Sequence, residues 1–178
     1  ALCLGKSIMK LYPEYDLTPE KLVQIGWASS MHDIGKIAIP DSIILKPAKL
    51  TQDEFELIKS HTTKGAEIIQ QRVRLNDRAI FEYAYDIARH HHEKYDGNGY
   101  PDGLKGDEIS IAAQIVSLVD VYDALTSKRV YKRAYEPDKA FQMILNGHSG
   151  VFSPKLLKAF TEVKPRFDSL MEMYQDEI

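Results

Sequence analysis

Helix-start signals recur along nearly the whole chain, and this repetition restricts the fold more than any other feature. Thr18-Pro19-Glu20 joins an N-cap residue to a proline at the first helical position. Thr51, with Glu54 three residues later, spells a capping box that opens a helix through Phe55 and Ile58. Glu136-Pro137 opens another, which stops at Asn146-Gly147. Ser153-Pro154 opens a third, and Pro165 is read as introducing a last, charged helix. Apolar positions repeat at steps of three and four. Leu22, Ile25, Ser29 and His32 share one face, and Ile80, Ala84, Ile87 and His91 share another over residues 79–92. Residues 1–12 form a first helix before Pro13. Residues 110–127 are apolar on most sides, the pattern of a central buried helix. Strand signals are few, so the sequence predicts an all-α bundle of roughly seven helices.

Length and charge narrow the class. A chain of 178 residues with 44% hydrophobic and 28% charged residues has the make-up of one globular domain. A formal net charge of -3 argues against broad, charge-driven binding of nucleic acid polymers, while leaving room for a small phosphorylated ligand held by local cations. The single cysteine, Cys3, excludes an internal disulfide framework and suits a reducing, cytoplasmic setting. No apolar run reaches membrane-spanning length and no signal peptide is visible.

Metal-type ligands fall in four separate stretches: His32-Asp33 in "MHDIGK", His61 in "IKSH", His91-His92 in "ARHHHE", and Asp120 in "SLVDVYD". A lone histidine on an apolar face is usually a hydrogen-bonded core residue, and His90 reads as the exposed member of its run. Asp120 stands between Val119 and Val121, where a carboxylate is costly unless it pairs with a cation or binds a metal. On a continuous helix His32 and Asp33 would lie about 100° apart, so that both could face one cavity. Mixed imidazole and carboxylate ligands suit borderline divalent ions. Six of them exceed the need of one tetrahedral zinc and are enough for a two-metal site with a bridging carboxylate.

At this point a resemblance becomes specific. "HDIGK" resembles the signature of the HD superfamily of metal-dependent phosphohydrolases, and "HHEKYDGNGYP" that of its HD-GYP branch. "IPDSIILKPAKLTQDEF", "IKSHTTKGAEII" and "DVYDALTSKRVYKR" are similar to the same branch, so the likeness runs from about residue 20 to 160. The resemblance implies an HD-domain helical bundle and metal-dependent hydrolysis of cyclic di-GMP to linear pGpG, and then to GMP, by a metal-activated hydroxide. It implies His32, Asp33, His61, His91, His92 and Asp120 as ligands of two or three divalent ions, iron or manganese. It makes Lys36 a phosphate contact near the reaction centre, puts Gly99, Tyr100 and Pro101 beside the substrate, and gives Arg129 and Lys132 the non-bridging phosphate oxygens. For Arg133 a solvated face is the simpler reading. The glycines of "DGNGYP" let backbone approach a ligand, and Tyr100 could stack on a base or bond a phosphate; a plain turn is the competing reading for Gly97 and Asn98.

Two departures from the branch stand out. Its members carry a further histidine upstream of "HDIGK", whereas no histidine precedes His32 here. The expectation is therefore a single catalytic domain over residues 1–178, cut from a longer protein within or after its first helix, or else lacking that ligand. Where the branch has aspartate before proline near the C-terminus, this chain has Ser153, which can still cap a helix. Two alternatives to a cyclic di-GMP hydrolase stay open: the same chemistry on 3′,3′-cyclic GMP-AMP, and a non-catalytic module that binds the nucleotide and signals to a partner. The family also leads one to expect an upstream sensory or receiver domain and a homodimer.

Overall fold

A computed structural model describes residues 1–71, 78–127 and 134–175. Their architecture is all-α: α1 Leu2–Leu11, α2 Pro19–Ser29, the single-turn α3 Asp41–Ile44, α4 Gln52–Lys59, α5 His61–Gln70, α6 Arg78–His90, α7 Ile111–Thr126, α8 Pro137–Leu145 and α9 Pro154–Gln175. Short 3-10 turns cover Pro13–Tyr15, Ile34–Ala38 and Gly106–Glu108. The predicted caps do their work. Thr18 Oγ1 accepts from the Lys21 amide at 3.2 Å, Thr51 and Glu54 close a capping box, and Ser153 Oγ accepts from the Leu156 amide at 3.0 Å.

Two expectations need correction. His32 and Asp33 are not on α2, which stops at Ser29. Its last carbonyls are taken by Ser29 Oγ (to Gly26, 2.7 Å), Ser30 Oγ (to Trp27, 2.7 Å) and the His32 ring, so the ladder ends there. The helix begun at Gln52 runs through Phe55 and Ile58 as predicted and ends at Lys59, with α5 following directly after Ser60. Across this break Ser60, His61, Thr62 and Thr63 each bond the carbonyl three residues back with their side chains, which tightens the turn. Pro165, finally, does not start a helix; it lies inside α9. Phe160 and Phe167 flank it and pack together, ring centroids 5.5 Å apart, and this burial on both sides offsets the missing amide.

The core has two parts. One gathers Leu4 and Ile8 of α1, Leu118 and Tyr122 of α7, Phe141 of α8 and Phe160 of α9. The other gathers Leu22 and Ile25 of α2, Ile69 of α5, Ile87 of α6 and Val116 of α7. Helix α7 contributes to both, as its apolar pattern predicts, and Ser110 caps it by accepting from the Ala113 amide. No helix among the described residues is long and apolar enough to cross a membrane. Phe160 is fully buried between the rings of Phe141, Tyr122 and Phe167. Replacing it with alanine is expected to cost about 3–5 kcal/mol in urea denaturation, as a shift in midpoint at constant slope.

Candidate metal centre and adjoining cavity

The histidines arrive at the site as the ends of helices. Beyond α2, His32 Nδ1 lies 2.8 Å from the Ser29 carbonyl; beyond α4, His61 Nδ1 lies 2.7 Å from that of Ile58. Beyond α6, His91 Nδ1 lies 2.9 Å from the carbonyl of Ile87. A carbonyl only accepts, so in each ring Nδ1 carries a proton and donates, and Nε2 is turned toward the site.

A close crossing brings these ends together. A β-carbon on Gly35 would fall 1.9 Å from the His61 carbonyl and 2.5 Å from the Gly65 amide nitrogen. Without one, the 3-10 turn after Asp33 presses directly onto the start of α5. Asp33 then faces several side-chain nitrogens at once. Its Oδ1 lies 3.4 Å from His61 Nε2 and 3.9 Å from His91 Nε2, and its Oδ2 lies 3.4 Å from His32 Nε2 and 2.5 Å from Lys36 Nζ. Asp120 Oδ1 approaches His32 Nε2 at 3.7 Å. Among the described residues no Lys or Arg comes within ion-pair distance of Asp120, although its charge acts on the partly buried Lys94. His92 completes the group, its ring 4.1 Å from that of His91 and 5.1 Å from that of His61.

This donor set suits divalent cations. His61, His91 and His92 form one group of ligand atoms within 4.8 Å of one another, and His32, Asp33 and His91 form a second. Two atoms each about 2.1 Å from a shared ion stand roughly 3.0–3.5 Å apart, the range in which His61 and His32 meet Asp33. The protonation states point the same way. Burial holds His61 and His91 below the ordinary imidazole value, His91 at about 4 with help from the charges of His32 and His61. Burial and the neighbouring His91 lower His92 as well. These rings are therefore neutral, as ligands must be. Burial would also lower His32, but the carboxylates of Asp120 and Asp33 override it and raise the ring to about 10. Although burial opposes ionisation of Asp33 and Asp120 too, His32 holds both below the usual carboxylate range, with Lys36 assisting at Asp33. The pair of carboxylates thus draws positive charge into the cluster.

Beside the cluster lies a cavity of about 410 Å³, lined by Asp33, Lys36, His92, Asp120 and Ser149 among others. A larger groove of about 730 Å³ runs past Leu2, Val23 and Trp27; its lining is mostly apolar, and at Ser29, Val119 and Asp123 it adjoins a smaller pocket that reaches His32 and Asp120. The Gly99-Tyr100-Pro101 loop flanks the cluster: the Tyr100 ring packs on that of His92 at 4.9 Å, and Tyr100 and Pro101 are joined by a cis peptide bond. Burial and the charges of Asp120 and Asp33 push the Tyr100 phenol up, so it stays protonated. A β-carbon on Gly99 would sit 2.3 Å from the Lys94 amide nitrogen, so the glycine allows the loop to approach its own chain. Gly97, at φ 83°, and Asn98, bonded to Asp96, form the plain turn that was the competing reading. Arg129, Lys132 and Arg133 lie outside the described residues.

Two contributors escaped the sequence reading. Glu93 is buried, and its carboxylate accepts from the amides of Asp102 (2.7 Å), Gly103 (3.1 Å) and Leu104 (3.1 Å), tying the loop to the end of α6. The available signal was a carboxylate at a helix end facing a run of turn amides. Ser149 reaches the cavity wall, and nothing in its sequence neighbourhood marked it. His90 is not the exposed member of its run: its ring lies between Asp86 at 2.8 Å and Asp102 at 3.1 Å, and Arg89 also pairs with Asp102.

The comparisons with known proteins agree with this geometry. The HD domain family model matches residues 6–156. The chain belongs to the HD domain family, in its HD-GYP branch. A cyclic di-GMP phosphodiesterase of Vibrio cholerae is 40% identical over 168 residues, covering 93% of this chain and 34% of the relative. A cyclic di-GMP phosphodiesterase of Thermotoga maritima is 37% identical over 168 residues, covering 94% of this chain and 45% of the relative. A 3′3′-cGAMP-specific phosphodiesterase of Vibrio cholerae is 38% identical over 148 residues, covering 83% and 28%. The chain spans less than half the length of each of these relatives.

Glu93→Ala should strand three inward-facing amides and cost about 2 kcal/mol or more. The expected signature is faster hydrogen exchange at residues 102–104; unchanged protection there would show that the loop holds without the carboxylate.

Proposed function

We propose that this chain is the catalytic domain of a cyclic di-GMP phosphodiesterase, which opens the cyclic dinucleotide to linear pGpG and then cuts that to GMP. The observation that carries the reading is Asp33, whose two carboxylate oxygens face different imidazoles at 3.4 Å beside a cavity bearing a lysine. His32, Asp33, His61, His91, His92 and Asp120 would hold two or three divalent ions, iron or manganese. When bound, such ions lower the pKa of a coordinated water and polarise phosphoryl oxygens.

The remaining tasks fall to the chain itself. Lys36, held against Asp33, would meet charge developing on the phosphate. Tyr100, kept protonated, can donate to a phosphate oxygen or stack on a base. Gly99 and Pro101 shape the wall on which that ring rests, and Arg129 and Lys132 are proposed for the non-bridging oxygens. The names of the Vibrio and Thermotoga relatives support cyclic di-GMP as substrate. The cGAMP-specific relative favours a second reading, the same chemistry on 3′,3′-cyclic GMP-AMP. We place the domain in the cytoplasm, as part of a longer protein under a sensory or receiver domain and able to pair with a second copy.

The test joins metal content to turnover. Protein loaded with iron or manganese should hydrolyse cyclic di-GMP, and chelation should lower its melting temperature because ligands that bind only the folded state stabilise it. Asp33→Asn should lose bound metal and at least about a hundredfold in turnover, since even the outer partners of metal ligands are worth 10–100-fold. Loaded protein that binds the nucleotide tightly and cleaves none of it would instead be a receptor.

A further inference from the structure

A row of side chains leads away from the cluster. The His92 ring, on the cavity wall, packs on Tyr100 at 4.9 Å and an interplanar angle of 32°. Lys59 Nζ stands 5.4 Å from the Tyr100 ring centroid and 5.7 Å from that of Phe55. Phe55 and Lys59 are four residues apart on α4 and so share a face of it. Glu56 fixes the ammonium at 2.8 Å and is itself held by Gln52 Nε2 at 2.9 Å. The row ends in water: the Phe55 side of α4 is open, with the residue 45% exposed. An aromatic face, an ammonium and a carboxylate therefore lie together at the outer end of a path that starts at the metal cluster.

We infer that Phe55 and Lys59 form a base subsite that takes a guanine of the nucleotide, an inference that rests on the phosphodiesterase reading. The Phe55 ring offers a stacking face, which by itself does not distinguish one base from another. The distinction comes from hydrogen bonding. An ammonium has donors alone. Guanine presents O6 and N7 as paired acceptors, whereas adenine sets an amino donor beside N7. With the reacting phosphate at Lys36 and the metals, the base reaches out past Tyr100 to α4. A cyclic dinucleotide with one guanine can place that base here, whereas one with two adenines cannot be read in the same way.

Steady-state hydrolysis and calorimetric binding of cyclic di-GMP and cyclic di-AMP, on the metal-loaded chain, test this. Wild type is expected to prefer the guanine ligand. Phe55→Ala should raise KM for both ligands about tenfold at unchanged kcat, the scale of one lost base–aromatic contact. Phe55→Trp should restore KM. Lys59→Met should cut the preference for guanine about tenfold or more. Metal content should match wild type in all three variants, which separates a base contact from damage to the cluster. If wild type turns over cyclic di-GMP while Phe55→Ala and Lys59→Met keep its KM and its preference, the subsite is wrong and the phosphodiesterase reading stands. If wild type neither binds nor cleaves either dinucleotide, both fall.

Discussion

Three hydrogen bonds from imidazole Nδ1 to helix-end carbonyls set the character of this site. Each does two things at once: it gives a helix-end carbonyl a second donor beside a backbone amide, and it fixes the ring so that Nε2 faces inward. The ends of α2, α4 and α6 also carry the negative pole of their helix dipoles, so cations are favoured where they meet. The secondary structure and the ligand field are thus the same set of contacts. Moving a histidine by one position would lose that bond along with the ligand.

Glycine governs how closely these ends approach. At Gly35 the chain runs against the first turn of α5, and at Gly99 a loop runs against the backbone after α6. The first contact brings Asp33 within reach of His61; the second sets Tyr100 on His92. Glu93 then holds the far side of that loop with three amide bonds, so the wall beside the cluster is fixed by backbone contacts rather than by long side chains. Such a wall suits a reaction that depends on position, because rigid neighbours keep Lys36 and Tyr100 where charge would develop.

Much of this was legible in the sequence, and the exceptions have physical causes. The caps at Thr18, Thr51 and Ser153 were readable because capping is local, between residues three apart. The six ligand candidates were readable as residue types, and their convergence followed from family resemblance rather than from spacing. The end of α2 was hidden because Ser29, Ser30 and His32 keep a helical period while their side chains bond the carbonyls that end it. The continuity of α9 through Pro165 depends on aromatic packing across the core, which no local window contains. Glu93 and Gly99 act through contacts with backbone, and the sequence shows backbone contacts least of all.

The division of the core has a mechanical consequence. The histidines and Asp33 belong to the half built on α2, α5 and α6, while α7, which carries Asp120, is also packed into the half built on α1, α8 and α9. A small shear between the halves, transmitted along α7, would change the separation of Asp120 from His32 before it disturbed either half internally. Load applied to the distant face of the bundle would therefore be felt as ligand spacing. A centre assembled wholly within one half would lack that sensitivity.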